Sequence, residues 1–128
     1  MDKDLVLQTV MLYHEGHHYH DMDKLSQAFH PKAHISGYYE GELACEPRDR
    51  YMELLSGGKS SAQVGIASTI RVVSVDMTET TAVVKVANSY HGACYTSYLS
   101  MIKIDGSWSI INGLFHSEID RDRCIVYK

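Results

Sequence analysis

The second half of the chain is a run of four strand-length stretches, and that run constrains the fold more than any other feature. Gln63 to Val75, Ala82 to His91, Cys94 to Ile104 and Ser107 to His116 are separated by Asp76 to Thr80, Gly92-Ala93 and Asp105-Gly106. Asp-Gly accepts the positive φ that a tight hairpin demands, so the spacing predicts an antiparallel meander. At about 3.3 Å per residue each strand spans about 30 Å, and a sheet of such strands has to twist and bend. A period of two assigns the faces. Val84, Val86, Asn88 and Tyr90 share one face of the second long strand, and Trp108, Ile110, Asn112, Leu114 and His116 share one face of the last. Ile111 and Phe115 fall opposite, where they are open to water unless something covers them. Leaving such side chains exposed forfeits a few kcal/mol, at about 25 cal/mol per Å². A homodimer through the sheet is the expected cover.

The first half reads as helices and one hairpin. Leu5, Val6, Val10, Met11 and Tyr13 recur at helical spacing behind Asp2 and Asp4, predicting a helix to about His20. Gly16 within it costs about 1 kcal/mol relative to Ala, which points to tight packing or a bend. Asp21 or Asp23 caps a short second helix through Leu25, Ala28 and Phe29, which stops near His30 because Pro31 follows. His34 to Tyr39, the turn Glu40-Gly41 and Glu42 to Cys45 read as a hairpin, and a third helix opens with Pro47 at its first helical position and ends at Gly57-Gly58. The expected class is α+β: three N-terminal helices packed in a strongly curved, mainly antiparallel sheet that forms a cone.

Composition narrows the function. The 128 residues are 45% hydrophobic with two prolines, which suits one folded domain, with a core of about 5–117 and a tail at 118–128. A net charge of −4 without clustered Lys or Arg makes nucleic acid a poor partner. No apolar run approaches the roughly 20 residues of a spanning helix, and the start Met1-Asp2-Lys3-Asp4 lacks a basic leader. The expectation is a cytoplasmic protein with no membrane partner. Cys45, Cys94 and Cys124 have long, unpatterned spacings and read as thiols in a reducing compartment.

The stretch Tyr13-His14-Glu15-Gly16, Asp21, Leu25 and Ala28-Phe29-His30-Pro31-Lys32-Ala33 has a counterpart near the end, in Tyr98-Leu99-Ser100 through Asp105-Gly106-Ser107-Trp108-Ser109-Ile110-Ile111-Asn112 and Phe115-His116. Together these resemble the opening and closing signatures of the putative lumazine-binding family. That family lies within the nuclear transport factor two-like fold, which is also that of scytalone dehydratase, ketosteroid isomerase and the SnoaL-like cyclases. The resemblance implies the cone and, with it, an internal cavity. The family commonly places an aspartate where this chain has Ser97, so a carboxylate base on the sheet is missing here.

Candidate chemistry rests on histidines, tyrosines and amides. Eight histidines are more than expected for this length. His14 and His18 stand at i and i+4, with His17 beside them, but HExxH is absent and no third ligand is evident, so neither a metal nor any other cofactor is expected. His30, His34 and His116 lie on segments that the fold can bring together and are candidate proton-transfer residues. Tyr13, Tyr38, Tyr51, Tyr90 and Tyr98 lie on segments bounding the expected cavity, and Asn88 and Asn112 fall among apolar sheet residues. Buried phenols and amides need hydrogen-bond partners, so these residues suit a small polar or heteroaromatic ligand. Three functions stay open: a small-molecule-binding protein; a non-metal isomerase, cyclase or dehydratase using a cavity histidine; and a dimeric interaction protein with a filled cone.

Overall fold

The computed structural model describes residues 2–118. The elements run α1 (Asp2–Tyr19), α2 (Met22–Ala28), β1 (Phe29–Tyr39), β2 (Glu42–Pro47), α3 (Arg48–Ser56), β3 (Ile70–Met77), β4 (Thr81–Tyr90), β5 (Ala93–Ile104) and β6 (Ser107–Glu118). The six strands form one curved sheet in the order β2-β1-β6-β5-β4-β3, antiparallel except where β1 runs parallel to β6. This is the expected α+β architecture. Several boundaries differ from the sequence reading, and Pro47 ends β2 and precedes α3 rather than opening the helix. β1 begins at Phe29 rather than His34, and β3 is shorter, because 63–69 belongs to the loop 57–69 instead of the strand. The expected tail lies, beyond Glu118, outside the described residues.

Local chemistry accounts for the helices. Asp2 and Asp4 sit in the first turn of α1, where carboxylates favour the helix dipole. Asp21 caps α2 by accepting the Lys24 backbone N–H at 3.1 Å. Gly16 marks a close approach, because a Cβ there would meet the Leu25 side chain at 2.7 Å. The α1–α2 contact therefore requires a residue without a side chain.

The core lies between α1, α2 and the concave face of the sheet. Val6 and Val10 of α1 pack with Leu25, Ala28 and Phe29 against Val84, Leu99, Met101 and Ile110. The Thr9 hydroxyl, also buried, hydrogen-bonds the Trp108 carbonyl at 3.2 Å and ties α1 to β6. Each fully buried aliphatic or aromatic side chain stabilises the fold by roughly 1.5–3 kcal/mol relative to exposure.

One irregularity changes the face assignment. Ser100 pairs with Asn112 but Met101 pairs with Ile110, so Ile111 is an extra residue that β6 inserts into the β5 ladder. Such a bulge reverses the alternation beyond it. Trp108 and Ile110 face the helices as expected, but after the bulge Gly113, Phe115 and Ser117 take the inner face. Asn112, Leu114 and His116 turn outward and are exposed. Phe115 is thus not the open apolar group on the outer face; Leu114, 50% exposed, stands there instead.

Candidate functional site

Cross-strand partners share a face of the sheet, so the register sorts every candidate residue. One outer row runs through His34, Asn112, Ser100 and Val83, the next through Ser36, Leu114, Tyr98 and Lys85, and a third through Tyr38, His116, Thr96 and Ala87. On the inner face Gly37, Phe115, Ser97 and Val86 form one row, and Asn88, Tyr95 and Ser117 form another.

The inner rows border a cavity of about 500 Å³, within the usual range for small-molecule sites. α1 contributes Tyr13, His14, His17 and His18; α3 contributes Tyr51, Leu54 and Leu55; the sheet adds Asn88, Tyr90, Tyr95, Ser97, Leu99 and Phe115. Its carboxylates, Glu42 and Glu46, both stand on the edge strand β2, and no lysine is found among its described lining residues.

At its centre is a phenol–imidazole pair. His17 donates its Nδ1–H to the Tyr13 carbonyl at 2.7 Å, which fixes the tautomer, and Nε2 accepts the Tyr51 hydroxyl proton at 2.5 Å. Burial lowers the His17 pKa to about 4, against the opposing effect of the Tyr13 carbonyl, with His20 and His14 nearby adding to the fall. Burial likewise raises Tyr51 well above its ordinary value. At neutral pH both partners are uncharged. A second pair joins His20 Nε2 to the Tyr90 hydroxyl, and burial lowers His20 and raises Tyr90 to about 12.

Deeper in, the buried Ser97 donates its hydroxyl to Asn88 Oδ1 at 3.2 Å, and Ser97 also hydrogen-bonds the Tyr13 phenol. Tyr39 stacks on Tyr95 with ring centroids 6.4 Å apart. The loop 57–69 is held against the site by hydrogen bonds, among them those between Thr69 and Ser89. The Ala62 N–H donates to the His18 carbonyl, the His91 N–H donates to Ser61 Oγ, and His18 Nδ1 meets Ser68 Oγ at 2.7 Å.

The structure therefore gathers Tyr13, Tyr51, Asn88 and Tyr90 on the cavity and leaves six other candidates off its lining. Tyr38, Tyr98, His34, Asn112 and His116 belong to the outer rows, and Lys85 Nζ lies 5.6 Å from the centroid of the Tyr98 ring. His30, at the start of β1, accepts the Lys32 backbone N–H on Nδ1 at 3.0 Å, a local turn contact. His30, His34 and His116 do not form one cluster in the cavity. The residue missed is His17. Its signal was present, since Val6, Val10, Tyr13 and His17 continue one inward stripe at helical spacing.

Cys45 is a free, exposed thiol, but Cys94 is disulfide-bonded, against the expectation of thiols throughout. Cys124 lies outside the described residues. Among the described residues, no group of three or more His, Cys, Asp or Glu side chains is gathered to hold a metal ion. No described helix is long and apolar enough to cross a membrane.

Comparison with known proteins agrees with this architecture. A protein of Silicibacter pomeroyi described as NTF-2 like and of unknown function superposes with a TM-score of 0.82 at 22% identity, covering 91% of this chain and 96% of that one. An NTF2-like protein of Methylobacillus flagellatus superposes with a TM-score of 0.77 at 25% identity, covering 91% and 92%. In sequence, the aldolase FrzH of a Cladobotryum species is 32% identical over 120 residues, 89% of this chain and 90% of that protein. The family model described as putative lumazine-binding matches residues 1–116, and the chain belongs to that family, on the nuclear transport factor two-like fold.

Proposed function

We propose that the cone cavity binds a small, uncharged, planar polar molecule of heteroaromatic type. The observation that carries this reading is a cavity of about 500 Å³ whose polar groups are phenols, hydroxyls, imidazoles and an amide, with no lysine or arginine among its described lining residues and its carboxylates on an edge strand. An ionic ligand would be desolvated there without a counter-charge, which is costly. The aromatic rings offer stacking surface, and the description of the family supports the same ligand class. Titration with lumazine, followed by ligand fluorescence, tests it. Saturable binding that weakens about tenfold in Asn88→Leu is expected; binding unchanged in that variant contradicts the site.

A second reading, conversion of the ligand, is favoured by the relative named an aldolase. Without a lysine among the described lining residues, imine formation has no amine, so carbonyl chemistry here would run through an enol or enolate. The outer rows carry Tyr38, Tyr98, Val83 and Leu114, each at least 40% exposed, which supports a homodimer through this face. Sedimentation at micromolar concentration giving twice the chain mass is the expected result, and a monomeric mass removes the proposal. A cytoplasmic location belongs to the same reading and is tested by cell fractionation; the disulfide at Cys94 weighs against it.

A further inference from the structure

We infer that Tyr51 and His17 form a proton-transfer pair acting on the carbon next to a carbonyl in the bound molecule. The inference rests on the cavity being a ligand site and extends it by naming the reacting groups and the substrate class, an uncharged ketone or aldehyde with an adjacent C–H bond.

The geometry leaves one arrangement of protons. The Tyr13 carbonyl can only accept, so His17 carries its proton on Nδ1 and presents the Nε2 lone pair to the Tyr51 hydroxyl. Both side chains line the cavity, with Tyr51, on α3, edge-on to the Phe29 ring at a centroid separation of 6.1 Å. Ser97 spends its proton on Asn88 Oδ1, which leaves the Asn88 amide N–H groups to donate to a ligand oxygen.

In the step proposed, the substrate C–H bond breaks and its proton forms a new O–H bond on Tyr51. The original Tyr51 proton passes to His17 Nε2, and the C–H electron pair becomes the C=C bond of an enolate whose oxygen faces the Asn88 amide. The cavity gains an imidazolium and an enolate, with no net charge. Attraction between the two raises the proton affinity of His17 as the enolate forms. The low proton affinity of the resting imidazole then favours rapid return of the proton, so the enolate does not accumulate. The proton returns through the same pair run in reverse, and deuterium reaches the carbon when the Tyr51 hydroxyl proton exchanges with D₂O while the enolate is bound.

The probe is 2-tetralone in D₂O, with loss of its α-proton signal followed by NMR and its binding followed by thermal shift. The wild-type chain is expected to accelerate exchange over buffer. Tyr51→Phe and His17→Gln each lower that acceleration by about a hundredfold while the thermal shift persists, and His116→Gln, on the outer face, changes nothing. Binding without exchange in the wild type overturns the pair and leaves the cavity reading standing, as does wild-type exchange in Tyr51→Phe. Absence of a thermal shift with both 2-tetralone and lumazine overturns the cavity reading and the pair with it. Circular dichroism of each variant separates a lost step from a lost fold.

Discussion

The two ends of α1 face the same sheet and meet opposite environments. Val6, Thr9 and Val10 are buried against Trp108, Ile110 and Met101, whereas Tyr13 and His17, one and two turns further on, border a cavity. The sheet changes with the helix, from Val84 and Met101 to Asn88, Tyr95 and Ser97 along the same strands. Apolar packing at one end supplies stability, and that stability permits the other end to hold half-desolvated phenols, an imidazole and empty volume. The division teaches that stability and ligand chemistry should respond to different substitutions.

The largest expected effect is at the packed end. Ile110→Ala should cost about 4 kcal/mol in urea denaturation, since it removes a fully buried side chain from the core and leaves a cavity. A loss under 1 kcal/mol would mean that this end is no better packed than the other.

Next comes His17. Its folded pKa is lowered from 6.5 to about 4, so the native state refuses a proton that the unfolded chain accepts. The contribution is therefore complete above pH 6.5 and is lost as pH falls from there to about 4, by up to about 3 kcal/mol. Denaturation midpoints measured from pH 7.5 to pH 4 check this, and in His17→Gln the fall should shrink by that amount.

A smaller effect concerns the ligand alone. Tyr13→Phe removes the phenol that Ser97 hydrogen-bonds and should change stability by about 1 kcal/mol while weakening lumazine several-fold. The smallest belongs to the outer face, where His34→Ala should stay within about 0.5 kcal/mol and leave binding unchanged. If it alters binding, the separation between the two faces of the sheet fails.

Much of this was legible in the sequence. The order of helices, the hairpin and the meander followed from apolar periodicity and turn residues, and β4 has no irregularity in its pairing with β5, so counting by two put Asn88 on the cavity side. The count failed on β6 because Ile111 adds a residue to the ladder, and nothing in Ile110-Ile111-Asn112 distinguishes a bulge from regular strand. Asn112 and His116 were consequently expected on the wrong face. Tyr38 and Tyr39 are adjacent aromatics, and only the register with β6 decides which one faces in. His17 lies on the inward helix stripe, but its place between His14 and His18 reads equally as metal-ligand spacing, and only the fold shows it half-buried against Tyr51.

The most direct test of the division between a packed end and a ligand end is a ¹H–¹⁵N correlation spectrum recorded during a lumazine titration. The account requires saturable shifts concentrated at Tyr13, His17, Tyr51, Asn88, Tyr95 and Ser97, with Val6, Val10, Ile110 and the outer-face Tyr98 unmoved. Shifts centred on Tyr98 and Val83, or a spectrum that does not change, would contradict it.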